Sequence, residues 1–218
     1  MLNFIEINAL TKTTTACIIW LHGLGADGND FVPVVQALNM QHIQFILPHA
    51  PYRKVTLNNG YEMRAWYDLY GLSNDSPQDE TGIRATQAEI EAIIAQKIKQ
   101  GIPVNRIAIA GFSQGGAIAL HTALRYPQQL AGVLALSTYL PISAKLAQEK
   151  NAENQNTPIF MAHGTFDDVI TLATAQRARD ILQAQDYQVQ WHEYPMPHSV
   201  SPQEIEDIRD FLTQVLPK

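Results

Sequence analysis

Apolar residues in this chain fall into two kinds of pattern. Short, largely unbroken runs occur at residues 16–22 (ACIIWLH), at 43–47 (IQFIL), just ahead of Gly111, at 131–137 and at 158–163 (PIFMAH), while residues 187–194 (YQVQWHEY), with polar residues interleaved, read as the last strand. An unbroken run suits a strand covered on both faces, as in a mostly parallel sheet. Residues 4–8 read as a short edge strand. Between the runs, apolar residues recur every three or four positions, which predicts helices over 29–38, 114–126 and 172–185. Ser76-Pro77 is read as opening a longer helix, with Asp79 and Glu80 favouring the positive end of its dipole. Ile83, Ile90, Ile94 and Ile98 form its buried stripe, and Gly101 and Pro103 end it. Ser201-Pro202-Gln203-Glu204 is a capping box for the last helix, which turns Ile205, Ile208, Leu212 and Val215 inward. Residues 52–76 have no clear period; their aromatic density suits either a cover over something apolar or a core-packing loop. Residues 141–156 are polar and carry no visible chemistry. With no repeat or linker, the alternation predicts an α/β fold over residues 1–218, one domain with a mostly parallel central sheet and helices on both faces.

Composition narrows the function. The chain has 218 residues, 46% of them hydrophobic, enough for one sizeable core. Fifteen Lys and Arg against 21 Asp and Glu give a net charge of −6, and the basic residues are scattered, so no nucleic-acid partner is expected. No apolar run approaches the roughly 18 residues of a membrane span. The first residues, with Glu6 and no basic stretch, do not read as a secretion signal. Cys17 lies inside an apolar run and has no second cysteine to pair with, which fits a buried structural thiol and a cytoplasmic location.

The candidate chemistry centres on Gly111-Phe112-Ser113-Gln114-Gly115, where a strand turns sharply into a helix. The pattern G-x-S-x-G at such a turn lifts a serine hydroxyl above the sheet. Gly111 and Gly115 stand where a Cβ would clash, and the Gln114 N–H, at the helix start, points toward charge developing beside Ser113. The glycines at 23, 25 and 28 also spell a dinucleotide fingerprint, but the next strand ends in Pro48-His49-Ala50-Pro51 and supplies no ribose-binding carboxylate. The better reading is an H-G-x-G loop whose Leu24 N–H is the second oxyanion donor. A calcium loop from Asp27 fails because its twelfth position is Leu38.

A serine nucleophile needs a base, and the base needs a carboxylate. Asp167 lies four residues beyond one strand end and His198 four beyond the next. The order Ser, Asp, His is that of an α/β-hydrolase. Asp168 competes with Asp167, and Asp167 is favoured. His22 and His163, each preceding a glycine at a strand end, suit loop bracing. His192 and His198 are six apart with two prolines between them, so neither a metal nor any other cofactor is expected.

Seven segments, among them LHGLGADGNDF (21–31), RAWYDL (64–69), GFSQGGA (111–117) and HGTFDDV (163–169), closely resemble the carboxylesterase and acyl-protein thioesterase family, in order from about residue 15 to 212. The resemblance implies a serine hydrolase of carboxylic esters or thioesters. Ser113, Asp167 and His198 would be its triad, and Leu24 and Gln114 its oxyanion donors. It further implies an acyl-binding groove beside residues 64–76, with Trp66, Leu69 and Leu72 as candidate contacts, a tendency toward homodimers, and room for transient contact with a membrane surface. Thr171 stands where the family often has proline.

Overall fold

Nine strands and six α-helices alternate along the described residues 2–9, 14–73 and 76–218 of the computed structural model. In chain order they are β1 (Phe4–Ile7), β2 (Ala16–Leu21), α1 (Val32–Leu38), β3 (Ile43–Pro48), β4 (Tyr52–Val55), β5 (Tyr61–Arg64), α2 (Glu80–Lys99), β6 (Ile107–Phe112) and α3 (Gln114–Ala123). There follow β7 (Gly132–Leu136), α4 (Leu146–Glu149), β8 (Ile159–Gly164), α5 (Leu172–Ala184), β9 (Val189–Tyr194) and α6 (Pro202–Val215). Seven strands form one sheet in the order β1-β3-β2-β6-β7-β8-β9. Only β1 runs antiparallel to its neighbour. The carboxyl ends of the six parallel strands therefore share one edge, where open α/β sheets collect their ligands.

Successive side chains of the buried strands divide between two cores, as period-2 geometry requires. Ile19 and Leu21 of β2 pack with Ile109 of β6 and Met161 of β8 under α2, α3 and α5. Trp20, Ala110 and Phe160 face the other way, toward α1 and α6, whose Ile208 and Leu212 are fully buried. Both faces are thus covered, which is why these strands read as continuous apolar runs. Among the described residues, no helix is long and apolar enough to cross a membrane.

Three local expectations are corrected. The helix expected over 29–38 is split: Asp27 caps a 3₁₀ turn over Gly28–Phe31, and α1 follows. The long helix α2 starts at Glu80 rather than at Ser76-Pro77. Asp79 is its cap, accepting the Gly82 N–H at 2.9 Å, while Gln78 is still paired in an antiparallel bridge with Leu69. Residues 52–76 are not irregular throughout. β4 and β5 form a two-stranded hairpin, which turns through Asn59 and Gly60, both at positive φ. Ala65, Trp66 and Tyr67 then enter the core.

Candidate active site

Strand β6 delivers Ser113 at φ 54° and ψ −121°, a backbone conformation that serine rarely adopts. Such strain costs on the order of 1–3 kcal/mol and must be held by its surroundings. The Ser113 N–H donates to the Leu136 carbonyl of β7 at 2.9 Å. The Ser113 carbonyl accepts from the Thr138 hydroxyl at 2.6 Å and from the Ala117 N–H at 3.1 Å. Close backbone approaches lock the same turn. A Cβ at Gly111 would lie 2.2 Å from the Gly115 carbonyl oxygen, and one at Gly115 would lie 2.4 Å from that of Leu21. No side chain fits at either position.

The loop after β2 is built around His22, which is fully buried. Its Nε2 accepts from the Ala50 N–H at 3.0 Å, so the ring proton sits on Nδ1 and is donated to the Gly23 carbonyl at 2.7 Å. Both nitrogens are used by a neutral ring, and burial pushes its pKa down to about 4. The Gly25 N–H donates to the Arg64 carbonyl at 2.9 Å, and the Trp66 indole N–H donates to the His22 carbonyl at 2.8 Å. Segment 64–66 therefore fixes the loop that carries Leu24. Among the described residues, neither the Leu24 N–H nor the Gln114 N–H is taken up by a hydrogen bond. The Gln114 side chain ties the two regions together: its carbonyl accepts from the Trp66 N–H at 2.9 Å and its amide donates to the Tyr67 carbonyl at 2.8 Å.

Asp167 follows β8 and His198 follows β9. The His198 Nδ1–H donates to Asp167 Oδ2 at 2.6 Å, which leaves Nε2 as the nitrogen free to accept a proton. Asp167 Oδ1 accepts the N–H groups of Val169 at 2.9 Å and Ile170 at 2.8 Å. The carboxylate is buried, whereas Asp168 is exposed, so the structure brings Asp167 and not its neighbour to the histidine. The Phe112 ring packs against His198 with centroids 4.7 Å apart.

Ser113 and His198 line one cavity of about 320 Å³ together with Leu24 and Gln114. Leu57, Leu69, Leu72 and Ile170 give it an apolar wall. Two of the three residues expected to contact substrate, Leu69 and Leu72, are thus at the cavity. Trp66 is fully buried and is not among the cavity's lining residues; its ring is tilted against that of His22 with centroids 4.9 Å apart, and it supports the loop instead. Sequence reasoning did not anticipate Tyr139 or Val169 as lining residues, nor the clamp made by the Gln114 side chain. A polar amide at the start of a helix whose next six residues are small or apolar was the available signal for the clamp. The expectation that His22 and His163 brace loops is met: the His163 Nε2–H donates to the Ile170 carbonyl at 2.7 Å.

Residues 2–216 match the phospholipase/carboxylesterase family. Acyl-protein thioesterase 1 of Neurospora crassa is 41% identical over 216 residues, which cover 94% of this chain and 88% of that protein. Among solved structures, Zea mays acyl-protein thioesterase 2 superposes with a TM-score of 0.89 at 29% identity, covering 99% of this chain and 100% of that one. SOBER1 of Arabidopsis thaliana gives a TM-score of 0.88 at 32% identity, covering 92% of this chain and 99% of that one.

Proposed function

The chain belongs to the phospholipase/carboxylesterase family, and from that membership we propose that Ser113, Asp167 and His198 are the catalytic triad of a single-domain hydrolase. The chain is a serine hydrolase of ester and thioester bonds. The observation that carries the residue assignment is the Asp167–His198 hydrogen bond, which leaves Nε2 bare in the cavity that Ser113 enters from its strained turn.

His198 Nε2 takes the Ser113 proton as the hydroxyl oxygen attacks the acyl carbonyl. The oxyanion that forms is received by the two unpaired N–H groups of Leu24 and Gln114, each worth about 3 kcal/mol at the transition state. Asp167 stabilises the imidazolium without accepting its proton. The imidazolium then protonates the departing oxygen or sulfur, leaving an acyl-enzyme on Ser113, and water repeats the sequence. A thiolate leaves with little help, since thiols ionise near pH 8.5, so one triad serves both bond types. Leu69 and Leu72 are assigned to the acyl chain because they form part of the apolar wall. Every large apolar side chain exposed among the described residues comes from residues 52–72 or 166–169, and three of them, Leu57, Leu72 and Val169, line the cavity. That rim supports two further parts of the reading, pairing of two copies and transient contact with a membrane surface.

The test is turnover of a short p-nitrophenyl ester and of the matching thioester. Ser113→Ala should lower both by about 10⁴-fold or more, the scale of removing a triad nucleophile. Retention of near-full turnover by the folded variant would dismiss the mechanism.

A further inference from the structure

Asp167 has a second histidine beside it. His163, at the end of β8, is fully buried, and its Nε2 lies 2.7 Å from the Ile170 carbonyl oxygen and 3.3 Å from Asp167 Oδ2. Both neighbours of Nε2 are acceptors, so Nε2 carries the proton. Nδ1 is buried with no hydrogen-bond partner. A second proton there would be a buried charge with no acceptor, which a protein interior does not tolerate. His163 is therefore held as the neutral Nε2–H tautomer, beside the same carboxylate oxygen, Oδ2, that His198 contacts at 2.6 Å. The charged or titratable groups near His163 are Asp167 in its own loop, His198 in the β9–α6 loop and Glu193 of β9.

The bond to Ile170 closes a small ring. The Asp167 N–H donates to the Gly164 carbonyl at 3.2 Å, and the N–H groups of Val169 and Ile170 return to Asp167 Oδ1. His163 then ties down the carbonyl of that same Ile170. The N–H groups of Thr165 and Phe166 anchor the start of this loop to the carbonyls of Tyr194 and Met196 at 2.8 and 3.1 Å, and His163 anchors its far end, at the residue whose own N–H reaches Asp167 Oδ1. We infer that His163 is a positioning residue: its Nε2–H fixes the 164–170 loop and so aims the Asp167 carboxylate at His198. This rests on the triad reading above and adds a residue that touches no substrate. Its signature is a loss in kcat rather than in KM, because the acyl-binding wall is only grazed at Ile170 while the base loses its aligned partner.

The experiment compares His163→Leu, His163→Gln and Ser113→Ala in one ester assay, with thermal unfolding of each. Gln places an N–H close to the position of Nε2, and Leu removes it. For His163→Leu we expect kcat to fall about 10-fold or more, the scale of a lost hydrogen bond acting on a charged group, with KM within about threefold of wild type. The acid limb of its pH–rate profile should move to lower pH, because an imidazole without its aligned carboxylate is harder to protonate. His163→Gln should recover most of kcat and return the acid limb toward wild type. Folded His163→Leu with wild-type kcat and acid limb would overturn the assignment. So would equal loss in the Gln and Leu variants, which would mean that ring packing and not the N–H matters. Should His163→Leu fail to fold, the Gln variant decides alone: wild-type acid limb with most of kcat supports the role, and a shifted limb overturns it. Ser113→Ala separates the two readings, since its full activity would remove the triad itself, whatever His163 does.

Discussion

Gly115 shows how much at this site rests on one missing methyl group. A Cβ there would meet the Leu21 carbonyl oxygen at 2.4 Å and that of His22 at 2.5 Å. Both are backbone atoms at the end of β2, and the second belongs to the residue whose ring and carbonyl set the Leu24 loop. The substitution Gly115→Ala must therefore push α3 away from β2 or push the loop that carries Leu24, proposed above as an oxyanion donor, out of place. The expected cost is about 1–3 kcal/mol in urea unfolding, as for other overpacked interiors. Turnover should fall by about 10-fold or more, because an oxyanion donor displaced by a fraction of an ångström loses much of its value. Wild-type turnover together with wild-type stability would show that the approach is looser than these distances allow. The need for glycine at 111 and 115 was legible in the sequence, since the turn from strand to helix around a serine imposes it. The tautomers of His22, His163 and His198 were not, because they depend on which distant carbonyl or N–H each ring meets.

The elements were legible where their signals are local. The Ser201–Glu204 capping box forms with both of its reciprocal bonds, and Thr171 caps α5 by accepting the Thr174 N–H. The start of α2 was misread because two cap signals lie three residues apart and tertiary contacts decide between them. Gln78 is drawn into the bridge with Leu69, and Asp79 serves two N–H groups at once, those of Gly82 and Asp68. The β4–β5 hairpin escaped notice for a different reason: apart from Val55 its strands are half-buried or exposed, so no alternation marks them. Asp79 is thus both a helix cap and the tie between α2 and the segment that carries Leu69. Asp79→Ala should lower stability by about 1–2 kcal/mol, the range for a lost cap, whereas Ser76→Ala should change it by less than about 0.5 kcal/mol. Equal effects of the two in urea unfolding would restore Ser76 as the working cap.

On the scale of the whole molecule, the shared carboxyl edge of a parallel sheet made the site readable: residues just past β6, β8 and β9 had to meet there. What sequence could not supply is the protonation state of groups buried elsewhere, and these set how stability responds to pH. Burial lowers the pKa of His22 to about 4 and of His121 to about 3, and lowers that of His163 as well, against an ordinary value of 6.5. Below pH 6.5 the unfolded chain protonates these rings and the folded chain does not, so acid favours unfolding. Glu204 acts in the opposite sense. It is fully buried in the α6 cap with Oε1 unpartnered, and desolvation pushes its pKa up to about 8 from an ordinary 4.5. The folded chain therefore holds this proton up to about pH 8, while the unfolded chain has lost it above pH 4.5, so rising pH favours unfolding across that window. The histidines prevail on the acid side, with a net uptake between about one and two protons and a slope on the order of 1–3 kcal/mol per pH unit. Glu204 prevails between pH 6.5 and 8, where it should remove about 2 kcal/mol. Stability measured by urea unfolding should then peak near pH 6.5 and decline on both sides. Glu204→Gln keeps a carbonyl oxygen for the Ser201 N–H but has no proton to lose, so it should flatten the decline from pH 6.5 to 8 and steepen the acid limb between pH 4.5 and 6.5 by about one proton, roughly 1.4 kcal/mol per pH unit. A wild-type stability that climbs steadily from pH 5 to 8 would mean that Glu204 is ionised in the folded protein and that its burial is offset by a partner.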